Sequence, residues 1–380
     1  MVAACPFPSG QGTQALIAEL AAALSSRGHE IHLVCYGHGQ GSSDGLPFRI
    51  HRAPGLPGYS RLRSGPDWVK PWLDALLALT CLRVVRRNGC QLIHAHNYEG
   101  LVAGCLAGRL AGAPVVYHAH NWMADELPQY ADARALRALA ARAGAWLDRS
   151  LPRRADRVIA LHAGIARALR AAGVEEERIA VVLPGIDAAA WAPGRGAERE
   201  ADTVVYAGNL DRYQRLPLVF EALARLRARR ARLRFLLATP NPLAEAGRML
   251  ARHGIGDRTE LVQAPSLQAC RAVLHRARVA VSARTSPSGF PIKVLDYGAA
   301  GLPVVACRPC AHGVEHGQSG FVVEPEPEAL ARALDGLLAR PALARRMGEC
   351  AQRMVRERYS AGRMAREVEE LWCSVSPRSA

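Results

Sequence analysis

The sequence predicts an α/β protein with two Rossmann-like, doubly wound domains that face each other across a cleft. Its 380 residues are enough for two large domains. Short runs rich in Val, Ile and Leu alternate with Ala, Leu and Arg stretches at helical spacing, which is typical of βα units. The alternation stops between residues 188 and 202 and then begins again, which indicates two similar halves.

The first domain is predicted over residues 1–190, with a helix from Gln14 to Arg27 after the first strand. Its apolar runs are continuous, which favours a parallel sheet covered on both faces. The predicted strands are 2–5, 31–36, 48–52, 91–96, 114–120, 157–162 and 179–183.

Residues 191–202 are predicted to be a linker because they combine Pro, Gly and charge with no apolar period. The second domain is predicted over residues 203–356, and a terminal helix is predicted within residues 357–380. Ligands of open α/β sheets bind beyond the carboxyl ends of the strands, so we expect the functional site in the cleft. The predicted strands of the second domain are 203–208, 233–239, 259–264, 278–283, 302–307 and 320–325.

The charge of the chain does not indicate a polyanionic partner. The formal net charge is +15, yet arginine supplies nearly all the cations and lysine occurs only at Lys70 and Lys293. This is a bias of the whole chain, so nucleic acid is not a predicted partner. The run RLRARRARLR at residues 225–234 is predicted to be a solvated face, with membrane or nucleic-acid contact as the alternative.

The N-terminal apolar stretch meets Pro6 too early for a signal peptide, and no run of about 18 apolar residues occurs. We therefore expect a cytoplasmic protein, with the inner face of the cell membrane as a second location. The ten cysteines are expected to be reduced. Zinc is an alternative for the segment from Cys307 to His316, but its Gly, Pro and Gln residues favour a loop, so neither metal nor cofactor is predicted.

Residues 61–87, RLRSGPDWVKPWLDALLALTCLRVVRR, combine tryptophan with basic ends. Two interpretations stay open for this stretch. It is either a core helix with basic ends or a surface that docks on anionic lipid and admits a lipid acceptor.

The loop at residues 6–14, PFPSGQGTQ, leads from the first strand into a helix. Gly12 lets the backbone approach a ligand, and the helix start offers unpaired N–H groups. The loop matches neither a Walker loop nor a GxGxxG fingerprint, and a structural turn explains it equally well.

Two other predicted strands end in His-Asn pairs, at His96 with Asn97 and at His120 with Asn121. Neutral imidazole and amide groups at strand ends can bind the hydroxyl groups of sugars. Histidines that are satisfied within turns are the alternative. Asp125 follows the second pair and is a candidate on the acceptor side.

The most informative segment is residues 284–305, where a strand end leads through a Ser/Pro/Gly loop into a helix at Pro291. A helix start carries about half a positive charge, and Lys293 adds a full one, which favours a diphosphate site. Asp296 lies one turn later and can accept hydrogen bonds from both hydroxyls of a ribose. The alternative is a surface ion pair between Lys293 and Asp296, but a chain that uses arginine almost everywhere has a lysine here.

A second loop of this domain, GNLDRYQRLPL, follows the strand at 203–208. Asn209, Arg212, Gln214 and Arg215 are expected on the cleft side, where cations could contact the same phosphates.

Together these stretches resemble the retaining, nucleotide-sugar-dependent glycosyltransferases of the GT-B fold, of the "glycosyl transferases group 1" or "family 4" type. The resemblance covers nearly the whole chain. It implies an acceptor-binding first domain, a donor-binding second domain and a last helix that packs back on the first. The stretches that carry it are PSGQGTQALIAELAAALSSRGHEIHLV, PVVYHAH, VVLPGIDAAAWAP, KVLDYGAAGLPVVA, VEHGQSGFVVEP and the closing EELW.

The resemblance places His120 beside the donor sugar, and it places Ser288 and Asp296 where the family often has two glutamates. The catalytic candidates are His120, Lys293 and Asp125. The donor-binding candidates are Gly12, Asn209, Arg212, Gln214, Arg215, Ser288, Gly289, Phe290, Lys293 and Asp296. The acceptor-side candidates are His96, Asn97 and Asn121.

The expected reaction moves a sugar from a nucleoside-diphosphate sugar to an acceptor hydroxyl, with retention and without metal. The acceptor is a saccharide, a lipid or a small molecule. A nucleotide-sugar epimerase on the same fold is one alternative, and a non-catalytic module that binds sugar nucleotides or membranes is another.

Overall fold

The computed structural model describes residues 1–9, 11–39, 45–56, 58–59, 65, 67–191, 199–264, 267–287 and 289–375. In these residues, thirteen strands form two parallel sheets, one in each half of the chain. The predicted fold class of two doubly wound α/β domains is confirmed.

The sheet of the first domain has the strand order β3-β2-β1-β4-β5-β6-β7. Every strand lies within a predicted run, and five of the seven are buried for most of their length, as expected for a sheet covered on both faces. The two edge strands, β3 and β7, are partly exposed. The strands are β1 (Val2–Ala3), β2 (His32–Cys35), β3 (Arg49–Arg52), β4 (Ile93–His96), β5 (Val115–Ala119), β6 (Arg157–Ala160) and β7 (Ile179–Val181).

The helices of the first domain are α1 (Gly12–Ser25), α2 (Lys70–Asn88), α3 (Asn97–Ala111), α4 (Met123–Glu126), α5 (Arg134–Ser150) and α6 (Ala163–Ala171). The first of them begins two residues before the predicted Gln14. α3 packs tightly on the sheet through glycines: a Cβ added to Gly108 would lie 2.6 Å from the carbonyl oxygen of Ala113.

The sheet of the second domain has the order β10-β9-β8-β11-β12-β13, which repeats the first six positions of the other sheet. In each sheet the direction of winding reverses beside the first strand of the domain, and ligands of such folds bind at that edge. The strands are β8 (Thr203–Ala207), β9 (Arg234–Thr239), β10 (Thr259–Gln263), β11 (Val279–Ser282), β12 (Val304–Cys307) and β13 (Gly320–Val323). The helices are α7 (Leu216–Arg227), α8 (Leu243–Arg252), α9 (Leu267–Arg276), α10 (Ile292–Ala299), α11 (Pro327–Leu338) and α12 (Pro341–Arg358).

The first domain ends in a short 3-10 helix, Ala188–Trp191, whose tryptophan is buried. His275 of the second domain hydrogen-bonds the carbonyl oxygen of Trp191 at 3.0 Å. Of the predicted linker, residues 192–198 lie outside the described residues. The chain resumes at Arg199, which donates to the carbonyl oxygens of Ala277 and Ala300.

The last helix, α13 (Ala361–Cys373), lies against α1 of the first domain. Glu369 accepts hydrogen bonds from Arg27 and contacts His29 Nε2 at 2.8 Å. Trp372 Nε1 lies 3.2 Å from His94 Nδ1. These contacts hold the C-terminal end of the chain against the first domain.

The basic run at residues 225–234 is a solvated, ion-paired surface. Arg227 pairs with Asp257 at 2.9 Å, and Arg230 pairs with Asp335 at 2.5 Å. All ten cysteines are free thiols. Among the described helices, none has the length and apolarity needed to cross a membrane.

Candidate functional site

A cavity with about 1470 Å³ of empty space, open to solvent, lies between the two domains. The starts of α1 and α10 meet beneath it, since a Cβ added to Gly12 would lie 3.7 Å from the Ile292 side chain. His120 and Gln14 line it from the first domain, and Lys293 and Gln214 line it from the second. The predicted position of the site in the cleft is therefore where the structure has its main cavity.

Lys293 is the second residue of α10, which begins directly after Phe290 and Pro291. Its Nζ donates to Tyr206 Oη at 2.8 Å and to Gln214 Oε1 at 2.7 Å. Burial and the nearby Arg284 lower the pKa of Lys293 to about 7. Among the described residues no ion pair joins Lys293 to Asp296, so the surface ion pair considered from sequence does not form.

A chain of hydrogen bonds extends from Lys293 along the loop after β8. Gln214 Nε2 donates to Asn209 Oδ1 at 3.0 Å, and Asn209 Nδ2 donates to Tyr213 Oη at 2.9 Å. The guanidinium of Arg284 lies 5.0 Å from the centre of the Tyr213 ring. Asn209 and Gln214, both candidates from the sequence, thus line the cavity and belong to one hydrogen-bonded network.

Arg284 is the functional candidate that sequence reasoning missed in the second domain. It lines the cavity two residues after β11 ends, in the position where open α/β sheets place ligand-binding groups. Its position just after a strand could have indicated Arg284 from the sequence. The residue type gave no such indication, because arginine is abundant throughout the chain.

Arg212 and Arg215, which were predicted to contact phosphates, do not line the cavity in this structure. Arg212 is exposed and pairs with Asp132 of the first domain at 2.9 Å. Arg215 is exposed, with a left-handed φ of 53°. The short turn at 212–214 directs Gln214 inward, which leaves both flanking arginines outside the cavity.

The loop before α10 brings the second domain against the first. Gly289 has a φ of +76°, and a Cβ added there would lie 2.7 Å from Arg284 Nη2 and 3.1 Å from the carbonyl oxygen of His120. Gly289 and the buried Phe290 line the cavity as predicted. Ser288 lies outside the described residues.

Asp296 also lines the cavity, one turn after Lys293. Burial and, to a lesser extent, the carboxyl group of Glu19 raise the pKa of Asp296 to about 8, against the opposing effect of Lys293. Burial likewise raises the pKa of Glu19, on α1, to about 7. A carboxyl group of the first domain therefore favours the protonated form of Asp296.

His120 is buried at the cavity wall, and its Nε2 lies 2.9 Å from His96 Nδ1. Burial lowers the pKa of His120 to about 3, so the imidazole is neutral. His96, which was predicted on the acceptor side, is completely buried and lines neither this cavity nor the smaller one beside it. Its side chain lies behind His120 and orients that ring.

A smaller cavity adjoins the main one in the first domain. Asn97, Asn121 and Lys70 line it. Glu126 lines both cavities and accepts a hydrogen bond from Asn121. Asp125, which was predicted on the acceptor side, lines neither cavity, whereas burial raises the pKa of its neighbour Glu126, which lines both.

One group of potential metal ligands comes together in the described residues: His94, His96 and His118. All three are buried among themselves behind His120, and burial lowers each pKa well below the ordinary value. In the segment at 307–316, where zinc was the alternative, both histidines make other contacts. His312 stacks on His162 at 4.0 Å between ring centres, and His316 Nδ1 accepts from the Val322 N–H.

Two Rossmann-like domains whose facing edges enclose a polar cavity define the GT-B class of protein. The chain belongs to the glycosyltransferases of this fold. Residues 10–190 match the family Glycosyltransferase Family 4, and residues 201–340 match Glycosyl transferases group 1. The resemblance stated from sequence is confirmed, as is the prediction of a glycosyltransferase enzyme.

Curated relatives are similar to the chain over part of its length. The D-inositol 3-phosphate glycosyltransferase of Nocardiopsis dassonvillei is 26% identical over an alignment of 276 residues, and the alignment covers 66% of this chain and 63% of that protein. The alignments to the first four such relatives span between 59% and 63% of their length.

Solved structures share the fold over nearly the whole chain. The sucrose-phosphate synthase of Thermosynechococcus elongatus has a TM-score of 0.81 at 19% identity and covers 98% of both chains. HepE of Anabaena, solved with UDP-glucose, has a TM-score of 0.76 at 17% identity, with 98% of this chain and 99% of that chain covered.

Proposed function

We propose that the protein transfers a sugar from a nucleoside-diphosphate sugar to an acceptor hydroxyl, with retention at the anomeric carbon and without a bound metal. The observation that carries the proposal is Lys293. Its ammonium group lies in the cavity at a helix start, and its two hydrogen bonds go to the neutral oxygens of Tyr206 and Gln214. An anion at this point would pair with Lys293 and raise its pKa again, so the site is suited to a diphosphate.

The second domain holds the donor in this proposal. Lys293, Arg284 and the first N–H groups of α10 bind the diphosphate, and Asp296 accepts from the ribose hydroxyls. Structures of HepE, a protein of the same fold, contain UDP and UDP-glucose. They support a nucleotide sugar as the donor class.

The chemistry is stabilisation of the leaving group. The bond from the anomeric carbon to the phosphate oxygen breaks, the bond to the acceptor oxygen forms on the same face, and the acceptor proton passes to the departing phosphate. One preorganised donor to a developing anion contributes about 3 kcal/mol. His120 is neutral and can hydrogen-bond the sugar through Nδ1, because its Nε2 contacts His96.

Metal independence is proposed because side-chain cations occupy the place where a metal would neutralise the diphosphate. The carboxylates that line the cavity are Glu126 and Asp296. They belong to different domains, so they are not a pair of neighbouring carboxylates on one loop that could hold a metal ion. Activity should therefore survive dialysis against EDTA. A loss that Mg²⁺ or Mn²⁺ restores would refute this part of the proposal.

The acceptor is a hydroxyl compound that enters from the first domain, where Asn97, Asn121 and Glu126 line the smaller cavity. A cytoplasmic location is part of the proposal, supported by ten free thiols.

The test is a thermal-shift panel of nucleotides and nucleotide sugars on wild type and Lys293→Met. One nucleotide class should raise the Tm of wild type, and the variant should lose that shift. A native protein that responds to no nucleotide would refute the donor proposal. Product analysis with the identified donor alone distinguishes an epimerase, which forms a new sugar nucleotide without any acceptor.

A further inference from the structure

Three helices of the first domain lie on one face of its sheet, and two of them, α2 and α3, pack against each other. The chain moves in the same direction across the sheet from β3 to β4, from β4 to β5 and from β5 to β6. Because such crossovers are right-handed, α2, α3 and α5 share one face. α1 connects strands in the opposite direction and lies on the other face, where α13 covers it.

The outward sides of α2, α3 and α5, together with Trp68 just before α2, form what we call the outer helical face. Ten large hydrophobic side chains are exposed among the described residues, and all but Val181 belong to this face. Trp68 is 96% exposed and Trp72 is 71% exposed. Scattered exposed apolar residues are ordinary, but their concentration on one face indicates a binding surface. The nine residues are Trp68, Trp72, Leu79, Val102, Leu106, Leu110, Leu136, Leu139 and Trp146.

The exposure follows from helix geometry. On α3, Val102, Leu106 and Leu110 recur every four residues and form one stripe. Gly104 and Gly108 of the same helix pack against the sheet, which directs this stripe outward. The apolar side chains are therefore built into an ordered surface.

The same three helices carry only positive charge at their surface. Their eight exposed arginines have no ion-pair partner among the described residues, and their three carboxylates, Asp74, Glu99 and Asp148, are not exposed. The basic run of the second domain differs, because four of its six arginines pair with carboxylates such as Asp257 and Asp335. The eight arginines are Arg83, Arg86, Arg87, Arg109, Arg134, Arg137, Arg142 and Arg149.

We propose that the outer helical face binds the surface of an anionic lipid bilayer. Tryptophan favours the membrane interface, leucine inserts among acyl chains, and arginine pairs with lipid phosphates. A second copy of the chain fits less well, because a symmetric dimer would bring the unpaired arginines of both copies together. This inference does not depend on the transferase proposal, since lipid binding is measured without donor or acceptor.

The position of the face also gives it a role in the proposed reaction. Trp68 and Trp72 flank Lys70, which lines the smaller cavity. A lipid-linked acceptor in the bilayer would therefore reach that cavity along the start of α2. This second step rests on the proposed function.

The test is cosedimentation with phosphatidylcholine vesicles, with and without phosphatidylglycerol, at low and high salt. Wild type should bind only the anionic vesicles at low salt. Arg134→Gln with Arg137→Gln should weaken binding about 30-fold. The matched control, Arg345→Gln with Arg346→Gln on α12, removes two exposed arginines elsewhere and should change binding less than about twofold.

A second pair of variants tests the apolar part without changing charge. Leu136→Gln with Leu139→Gln should lower binding, whereas Val181→Gln should not. Native wild-type protein that stays in the supernatant with anionic vesicles would refute the proposal. So would equal effects of face and control variants, or self-association in sedimentation velocity that the leucine variants abolish while vesicle binding is unchanged.

Discussion

The two domains contribute different chemistry to the same cavity. The second domain supplies cations held by neutral partners: Lys293 bonds to Tyr206 and Gln214, and Arg284 lies over an aromatic ring. The first domain supplies His120, which is uncharged through burial, the amide of Asn121, and Glu126, whose pKa burial raises toward the neutral form. A site divided in this way is suited to a ligand with one anionic end and one hydroxyl-bearing end. The difference therefore supports a diphosphate in the second domain and sugar hydroxyls near the first.

The strongest test of this division removes the central cation. Lys293→Met should lower kcat by about 100- to 1,000-fold, because a preorganised charge at the leaving group is lost. Lys70→Met removes the only other lysine, which pairs with Glu99 in the first domain at 3.0 Å. That variant should keep the nucleotide-induced rise in Tm. Equal loss of nucleotide binding in both variants would contradict the assignment of the diphosphate to the second domain.

A second test compares two arginines of the second domain. Arg284→Gln should raise the KM for the donor about tenfold, which is the effect of removing one charged hydrogen bond. Arg212→Gln should change it less than about twofold, because its exposed ion pair with Asp132 contributes little. Steady-state kinetics with varied donor give both values. The reverse order of effects would restore the sequence-based assignment of Arg212.

A third test addresses the neutral half of the cavity. His120→Asn should lower kcat about 3- to 10-fold, the effect of one neutral hydrogen bond. The nucleotide without its sugar should bind as in wild type, because the diphosphate contacts lie in the other domain. Titration calorimetry with the nucleotide checks this. A weakened nucleotide affinity would show that His120 does more than contact the sugar.

The smallest expected effect concerns stability and pH. The folded protein raises the pKa of Asp296 from 3.8 to about 8, so between these values it holds a proton that the unfolded chain releases. This contribution to stability is present at low pH and is lost as pH rises toward 8. The amide of the Asp296→Asn variant does not ionise, so this variant does not lose stability in that way. Its Tm should therefore exceed that of wild type by on the order of 2 °C at pH 8. The difference should shrink at pH 5, as measured by scanning calorimetry, and a constant difference would contradict the shift.

Much of the fold could be predicted because most strands are short runs rich in apolar residues. All thirteen strands lie within predicted runs, from β1 to β13. Lys293 could be identified as a candidate from the sequence because lysine occurs at only two positions in this chain. His120, Asn121, Asn209 and Gln214 follow strands at an edge where ligands bind, and all four line the main cavity.

The sequence does not predict the direction of side chains within correctly predicted loops. Arg212 and Asp125 were candidates from the sequence, but Arg284 and Glu126 are the residues that line the cavity. Which side chain faces the cavity depends on how a turn orients it and on which distant segment packs against it. The outer helical face shows the same limit, since only its α2 part was suspected from residues 61–87.

The sequence by itself determined the two α/β halves, their strands and the rare lysine at the start of α10, because hydrophobic pattern and residue choice are local properties. Only the tertiary structure decided that His96 lies behind His120, that Arg284 completes the cationic wall and that three helices expose one apolar, arginine-rich face. These features depend on contacts between segments far apart in the chain, and burial and orientation exist only once those segments pack.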